Sequence, residues 1–485
     1  MISKNLIKSS FIYTIIGALP LASAFFLLLF YTNYITKADY GAFVLYISFT
    51  LFVQILVNFG LDTYIGISYF EHKHDPDLLK VRIGNIVAYL LAVGIISCLV
   101  FLLLGKPLFS FIFKGKDLFF FPYGFMSVIT AFFNSFFKTY SNLLINQQRP
   151  ERFATVNFAN FIMTIGFSLG GLFLYPYTLI GPMWGRLLSG FGIFLIALFA
   201  FTHEYPIRLQ LGTALRKTIS FSLPVLVFFL LSWVISNIFP WIMKQFMSLD
   251  EIAVFGLALQ FTLLIEFTLN GLSSAFMPKV YELIKKDNLY HSTPELNKYF
   301  SAFNALSLLI IPLATFLLPL IMPIFIPKDY SETYLFLALL NISFASRGLY
   351  NYFLAPIYYH KKTSLLPKLY SYTAIIQIVA SIILIKYYGI WGAVWANLFT
   401  KIIQNIFLYT GSRKFFRFEF NTLKLLWLPL LVTAFIIITE FVAKNMNIHL
   451  IHLIQLVITS TLVFLVYKKE TYQLALSLLK TRKDS

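Results

Sequence analysis

Apolar residues in this chain fall in long unbroken runs rather than in alternation. The runs cover approximately residues 11 to 34, 41 to 61, 84 to 104, 119 to 145, 153 to 174, 179 to 201 and 219 to 240. Seven more follow at approximately 253 to 276, 300 to 323, 333 to 356, 365 to 385, 390 to 410, 424 to 443 and 449 to 467. Each approaches or exceeds the ~20 residues that a helix needs to cross a bilayer. Barrel strands would be only about ten residues long and would alternate in hydrophobicity. The pattern predicts an all-α polytopic membrane protein with about fourteen transmembrane helices. Lys4 and Lys8 precede the first run, and Ala22-Ser23-Ala24 resembles a signal-peptidase site. The run continues through Phe25 to Phe30, which favours an uncleaved first helix.

Composition agrees. Of 485 residues, 59% are hydrophobic and 12% charged, with mean hydropathy +0.78; soluble proteins carry about 25% charged residues. The spans leave little chain for a soluble ATPase or glycosyltransferase domain, and no Gly-x-x-x-x-Gly-Lys-Ser/Thr phosphate loop occurs. Transport by such a chain is secondary, with no cofactor expected. The net charge of +18 does not indicate nucleic acid, because the basic residues flank the spans. With the N-terminus inside, one side holds 26 Lys and Arg and the other eight, Lys37, Lys106, Lys114, Lys116, Lys244, Lys328, Lys386 and Lys444. Both termini are therefore expected in the cytoplasm. Cys98 lies alone in an apolar run, so neither a disulfide frame nor a cysteine metal site is available. Glu71, His72, His74, Asp75 and Asp77 read as a solvated charge cluster rather than a metal site, and His449 and His452 as interfacial residues.

The chain repeats itself. Gly181-Pro182-Met183-Trp184 returns as Gly392-Ala393-Val394-Trp395, and Gly60-Leu61 as Gly271-Leu272, 211 residues on. Thr50, Gln54, Asn58 and Asp62, spaced by four, form one helical stripe that Thr262, Glu266, Asn270 and Ser274 repeat. Asn134, Lys138, Ser141 and Asn142 are answered by Ser343, Arg347, Tyr350 and Asn351. This predicts two pseudo-symmetric six-helix lobes, 1 to 201 and 219 to 410, related by an axis along the membrane normal. A cytoplasmic linker at 202 to 218 joins them, a two-helix appendage spans 411 to 467, and a basic tail covers 468 to 485.

Six ionisable residues fall at bilayer depth: Lys138, Arg186, Arg347, Lys401, Glu266 and Glu440. Such residues normally face a protein interior or a water-filled cavity. Their net positive charge suits an anion such as a phosphate or pyrophosphate, which Arg347 can hold bidentately. Lys138, Arg347, Lys401 and Arg186 are the candidate substrate-binding cations, with Asn134, Gln54, Asn58, Asn270 and Asn351 as candidate cavity lining. The competing structural reading is that the cations snorkel, that Glu266 pairs to hold helices together, and that the amides are interhelical glue. Glu440, near a helix end, reads as structural. Pro20 and Pro224 are candidate hinges in the first helix of each lobe.

Distributed cues, Lys37-Ala38-Asp39-Tyr40-Gly41, Gln147-Gln148-Arg149, Ser248 to Gly256 and Gly389-Ile390-Trp391-Gly392-Ala393, resemble the Wzx-type O-antigen and polysaccharide flippases of the MOP exporter superfamily. Relatives in that superfamily include MATE multidrug exporters and lipid II flippases. Where those proteins often carry an Asp-Arg pair late in the seventh span, this chain reads Pro240-Trp241-Ile242-Met243-Lys244. The resemblance implies a MATE-like fold in a bacterial inner membrane and a polyprenyl-pyrophosphate-linked oligosaccharide moved by alternating access. It further implies contact with membrane lipid, coupling to H+ or Na+ with Glu266 as the proton carrier if burial favours its neutral form, and polysaccharide polymerases as partners. Rival readings are a MATE-like drug or cation antiporter, which would need an acidic cavity, a lipid II flippase, and a polytopic polysaccharide polymerase, which would need a larger external loop than the one near 105 to 118.

Overall fold

The computed structural model describes residues 13, 16–113, 117–286, 290–442 and 446–481. Lys4, Lys8, Lys114, Lys116 and Lys444, counted above for orientation, lie outside them, as does the end of the basic tail. The chain packs as two units, Met1–Ala253 and Val254–Ser485. The first contains α1 (Leu19–Tyr34), α2 (Lys37–Asn58), α3 (Leu61–His72), α4 (Pro76–Ile112), α5 (Phe125–Asn146), α6 (Pro150–Leu174), α7 (Ile180–Glu204) and α8 (Thr213–Asn237). The boundary falls in the opening of α9 (Leu249–Lys286). The second unit adds α10 (Pro294–Phe325), α11 (Tyr334–Ile342), α12 (Arg347–Tyr359), α13 (Leu365–Ser412), α14 (Leu428–Val442) and α15 (Ile448–Thr481). Among the described residues there is no strand, only an isolated bridge between His291 and Arg417.

The fold is the all-α polytopic one that the runs predict. Eleven described helices are individually long and apolar enough to cross a membrane. One of these, α13, is two predicted spans counted together, turning sharply at Gly389, whose φ of 58° and ψ of −134° suit glycine. The predicted tenth span is broken into α11 and α12 by a 3-10 turn at Ser343–Ser346. α1 contributes a further, shorter apolar helix and runs unbroken through Ala22, Ser23 and Ala24.

One expectation needs correction. The loop placed near 62 to 83 is largely helical: the chain bends at Phe59 and Gly60, both with positive φ, and continues as α3. Asp75 then caps α4 through a 3.1 Å bond from the Leu78 N–H. Pro20, a candidate hinge, occupies the first turn of α1 just past the turn at Ala18 that separates it from the helical residues 16 and 17. Pro224 does sit in the interior of α8.

The repeat extends to local geometry. The Thr36 hydroxyl accepts from the Asp39 N–H at 3.1 Å, and Ser248, 212 residues on, accepts from the Glu251 N–H at 3.3 Å while Glu251 returns the bond. α5 and α12 end in the same turn. Gln148 and Lys361 have φ of 56° and 55°, and the N–H groups of Arg149 and Lys362 reach back to the carbonyls of Leu144 and Ile357 at 3.0 and 2.9 Å, as in a Schellman motif. Tyr177 and Gly389 take φ of 60° and 58° between the last two helices of each lobe.

Gly181 and Gly392, the repeated glycines, each press on the backbone of the helix before: a Cβ would overlap the carbonyl oxygen of Gly171 in one case and of Leu384 in the other. Gly181→Val is therefore expected to cost about 1–3 kcal/mol by overpacking. Gly170→Ala, where a Cβ meets nothing within 4 Å, should leave the protein unharmed. Thermal unfolding in detergent compares the two.

Candidate functional site

Each unit carries its own cluster of membrane-depth charge. In the first, the bend at Gly60 brings Asp62 into the opening turn of α3, beside α5. Its carboxylate, only 4% exposed, meets the Lys138 ammonium at 2.9 Å, while the lysine side chain stays 49% exposed. Asn142, one turn along α5, donates to Asp62 at 3.4 Å, and the Phe229 ring of α8 lies 5.6 Å from the Lys138 nitrogen. Asn58 is buried and donates to Thr139 at 3.3 Å, so its amide joins α2 to α5. Gln54 uses its backbone carbonyl to accept from Ser135 at 3.0 Å. Asn134 faces Gly190 on α7, and Arg186 sets its guanidinium 5.9 Å from the Phe43 ring.

In the second unit the predicted residues converge. Arg347 starts α12 immediately after the 3-10 turn and donates through Nη2 to Asn270 of α9 at 2.6 Å, with the Tyr350 ring 4.7 Å away. One turn further, Asn351 donates to Ser273 at 2.6 Å, a residue beside the stripe rather than on it. Lys401 of α13 donates to Ser343 at 3.0 Å and stands 3.5 Å over the Phe344 ring. It interacts electrostatically with both Glu266 and Arg347. Two cations and one carboxylate thus share this site, and the Arg347 Nε is buried without a protein partner.

Asp62, named in the stripe but not among the six ionisable candidates, is the additional functional residue. Its place at the end of the Thr50, Gln54, Asn58 stripe was the available signal, masked by its assignment to a loop. The cluster at Glu71 to Asp77 forms no metal site, and among the described residues no group of three or more His, Cys, Asp or Glu side chains could hold a metal. The interfacial role expected of His452 does not hold, because its side chain is fully buried.

A sequence profile described as polysaccharide biosynthesis protein matches residues 33–335, more than half of the chain. The chain belongs to the polysaccharide biosynthesis protein family. No curated protein matches it. Among solved structures it is similar to the lipid II flippase MurJ in an inward closed conformation, at TM-score 0.69 and 14% identity, over 97% of this chain and all of that one. A multidrug resistance MATE family transporter of the MOP superfamily, inward-facing, matches at TM-score 0.62 and 14% identity over 82% of this chain and 94% of its own. A Vibrio cholerae MATE transporter matches at 0.60 and 13%, over 85% and 96%. Family and fold together make this a multi-pass membrane protein of the polysaccharide biosynthesis family, with a helical fold like that of MurJ and the MATE transporters.

The family cues turn out to be corners of the fold. Ser248 caps a helix, Asp39 donates its N–H to the Thr36 cap, Gln148 and Gly389 adopt positive φ, and Trp391 packs on Phe336 and Phe441. Gln147 donates to Tyr205 at 2.6 Å, and Arg149 and Arg152 both pair with Glu204. Burial, reinforced by that carboxylate, pushes the Tyr205 phenol up to about 12, against the Gln147 bond that lowers it. Late in the seventh span, where relatives carry an Asp-Arg pair, Lys244 instead finds its carboxylate on Asp117 at 3.0 Å.

Proposed function

We propose that this chain is an inner-membrane flippase for a polyprenyl-pyrophosphate-linked oligosaccharide, working by alternating access with both termini in the cytoplasm. The observation that carries the reading is the convergence of two cations on the 3-10 turn at Ser343–Ser346, Lys401 bonded to Ser343 and Arg347 directly after the turn with its guanidinium on Asn270. An excess positive charge at bilayer depth suits a pyrophosphate, and a guanidinium fixed by Asn270 and Tyr350 can grip one bidentately. Membership of the polysaccharide biosynthesis family supports an oligosaccharide cargo, and the side bias of Lys and Arg supports the orientation. Lys138, already neutralised by Asp62, plays the lesser part in binding the anion. Glu266, whose charge acts on Lys401, is the group we assign to exchange a proton or sodium ion as the anion comes and goes.

A lipid II cargo is the second reading, favoured by the near-complete overlap with MurJ. Purified protein in sealed vesicles, offered fluorescent polyprenyl-pyrophosphate oligosaccharide and lipid II in separate arms, distinguishes them. Accelerated exposure of the first on the far leaflet is expected. Movement of lipid II alone would select the second reading, and efflux of cationic drugs with neither lipid moved would overturn both.

A further inference from the structure

The C-terminal helix pair holds a polar cluster that the cation site does not use. Glu440 lies in the last turn of α14, and His452 and Gln455 follow near the start of α15. His452 Nε2 is 3.1 Å from Glu440 Oε1, and Gln455 Nε2 donates to the same oxygen at 2.9 Å and to Thr439 at 2.8 Å. His452, Gln455 and Thr459 are fully buried. Spaced by three and four, they share the face of α15 that packs along α10 and α14. His452 Nδ1, Gln455 Oε1 and Thr459 Oγ1 have no protein partner.

The count of protons and charges decides what this cluster can do. Glu440 Oε1 accepts both bonds only if His452 carries a hydrogen on Nε2. With Glu440 ionised and the imidazole neutral, the cluster then holds a net negative charge inside a span, where a lone ionised group costs about 2.5–3.5 kcal/mol on insertion scales. One proton, placed on the free Glu440 oxygen or on His452 Nδ1, removes that charge. The surrounding elements bring few other charges. α10 carries Glu295 and Lys298 in its opening turns, α11 carries none, and α13, whose Trp391 and Trp395 rings touch Phe441, carries Lys368, Lys386 and Lys401. On α15, His449 lies one turn nearer the helix start, and Tyr467 lies toward the far end with the Lys424 amine 5.9 Å from its ring. Among the described residues, His452 is the ionisable group within ion-pair distance of Glu440.

We propose that Glu440 and His452 form a one-proton binding site in the C-terminal helix pair, loaded through Glu440 at the end of α14. Glu440 is the entry because its side chain keeps 9% exposure where His452 keeps none, and because it lies two residues from the end of α14. The site is independent of the cargo assigned above and stands whether or not that assignment does.

The test uses full-length protein in phosphatidylcholine and phosphatidylglycerol vesicles, stepped from about pH 8 to about pH 5, the window in which histidine sites titrate. Proton uptake and the infrared carbonyl band of protonated carboxyl groups are both recorded. Glu440→Gln should lose about one proton of uptake per chain together with part of the band. His452→Gln should lose the same proton, and its band should no longer change between the two pH values. His449→Gln should match the unmodified protein. Unchanged uptake in Glu440→Gln, a pH-dependent band surviving in His452→Gln, or a response to sodium chloride in place of acid would overturn the site. The two single variants report the same proton by different signals, so misfolding of one leaves the other decisive.

Discussion

Replacing Arg347 with alanine should slow the movement of pyrophosphate-linked cargo by a factor of from about 30 to a few thousand. Truncating one side of a desolvated, hydrogen-bonded charge pair typically costs about 2–5 kcal/mol, and each 1.4 kcal/mol is tenfold. Arg347 belongs at the upper end of that range because it is held in place before any ligand arrives. Nη2 is fixed on Asn270, the guanidinium lies against Tyr350, and Nε stays unspent. Arg347→Lys keeps the charge but loses the planar fork, so it should recover only part of the rate. Lys401→Ala removes a point charge resting on Ser343 and Phe344 and should cost less. The fold should survive the Arg347 change, because Asn351 and Ser273 still join α12 to α9. Flipping rates in vesicles, alongside surface polysaccharide in a host lacking its own flippase, measure all three. A wild-type rate in Arg347→Ala would remove the anion site from this position.

Much of this architecture could be read from apolar runs, because bilayer thickness sets the length of each run. The repeat was also legible, and the structure adds its reason: Gly181 and Gly392, Thr36 and Ser248, Gln148 and Lys361 are all corners that a duplicated backbone must turn in the same way. In the second unit, helical spacing placed Asn270 and Arg347 on facing stripes, and they meet, whereas Asn351 finds Ser273 beside the stripe. What spacing could not reveal was partnership. Lys138 and Arg347 occupy matching positions, yet one is neutralised by Asp62 and the other is held by an amide, so equivalent cations have unequal free charge. That difference turns on a bend at Phe59 and Gly60, which a hydropathy run cannot show because apolar residues continue on both sides of it. The Glu440 and His452 contact was hidden for another reason: it joins two helices whose facing sides only packing defines.

The Asp62 and Lys138 pair should respond asymmetrically to mutation. The carboxylate is 4% exposed and the lysine side chain 49% exposed, so the two partners lose different things when parted. Lys138→Ala leaves a buried anion with two weak contacts at 3.4 Å, from Asn142 and Thr63. An uncompensated buried charge of this kind costs about 3–5 kcal/mol. Asp62→Asn leaves an amine that solvent or headgroups can still reach, and the new amide keeps a hydrogen-bonding oxygen for Asn142, so its cost should resemble that of an exposed pair, about 0–1 kcal/mol. The double variant should then sit close to Asp62→Asn alone, rescuing most of what Lys138→Ala loses. Unfolding midpoints of the four proteins in one detergent complete the cycle. Equal losses in the two single variants would mean that the carboxylate is not the buried partner, and additive losses in the double would mean that the pair does not interact. Rescue by Asp62→Asn would instead establish that Lys138 serves first as the counter-ion of a buried acid, which explains why its lobe carries less free charge than the one built around Arg347.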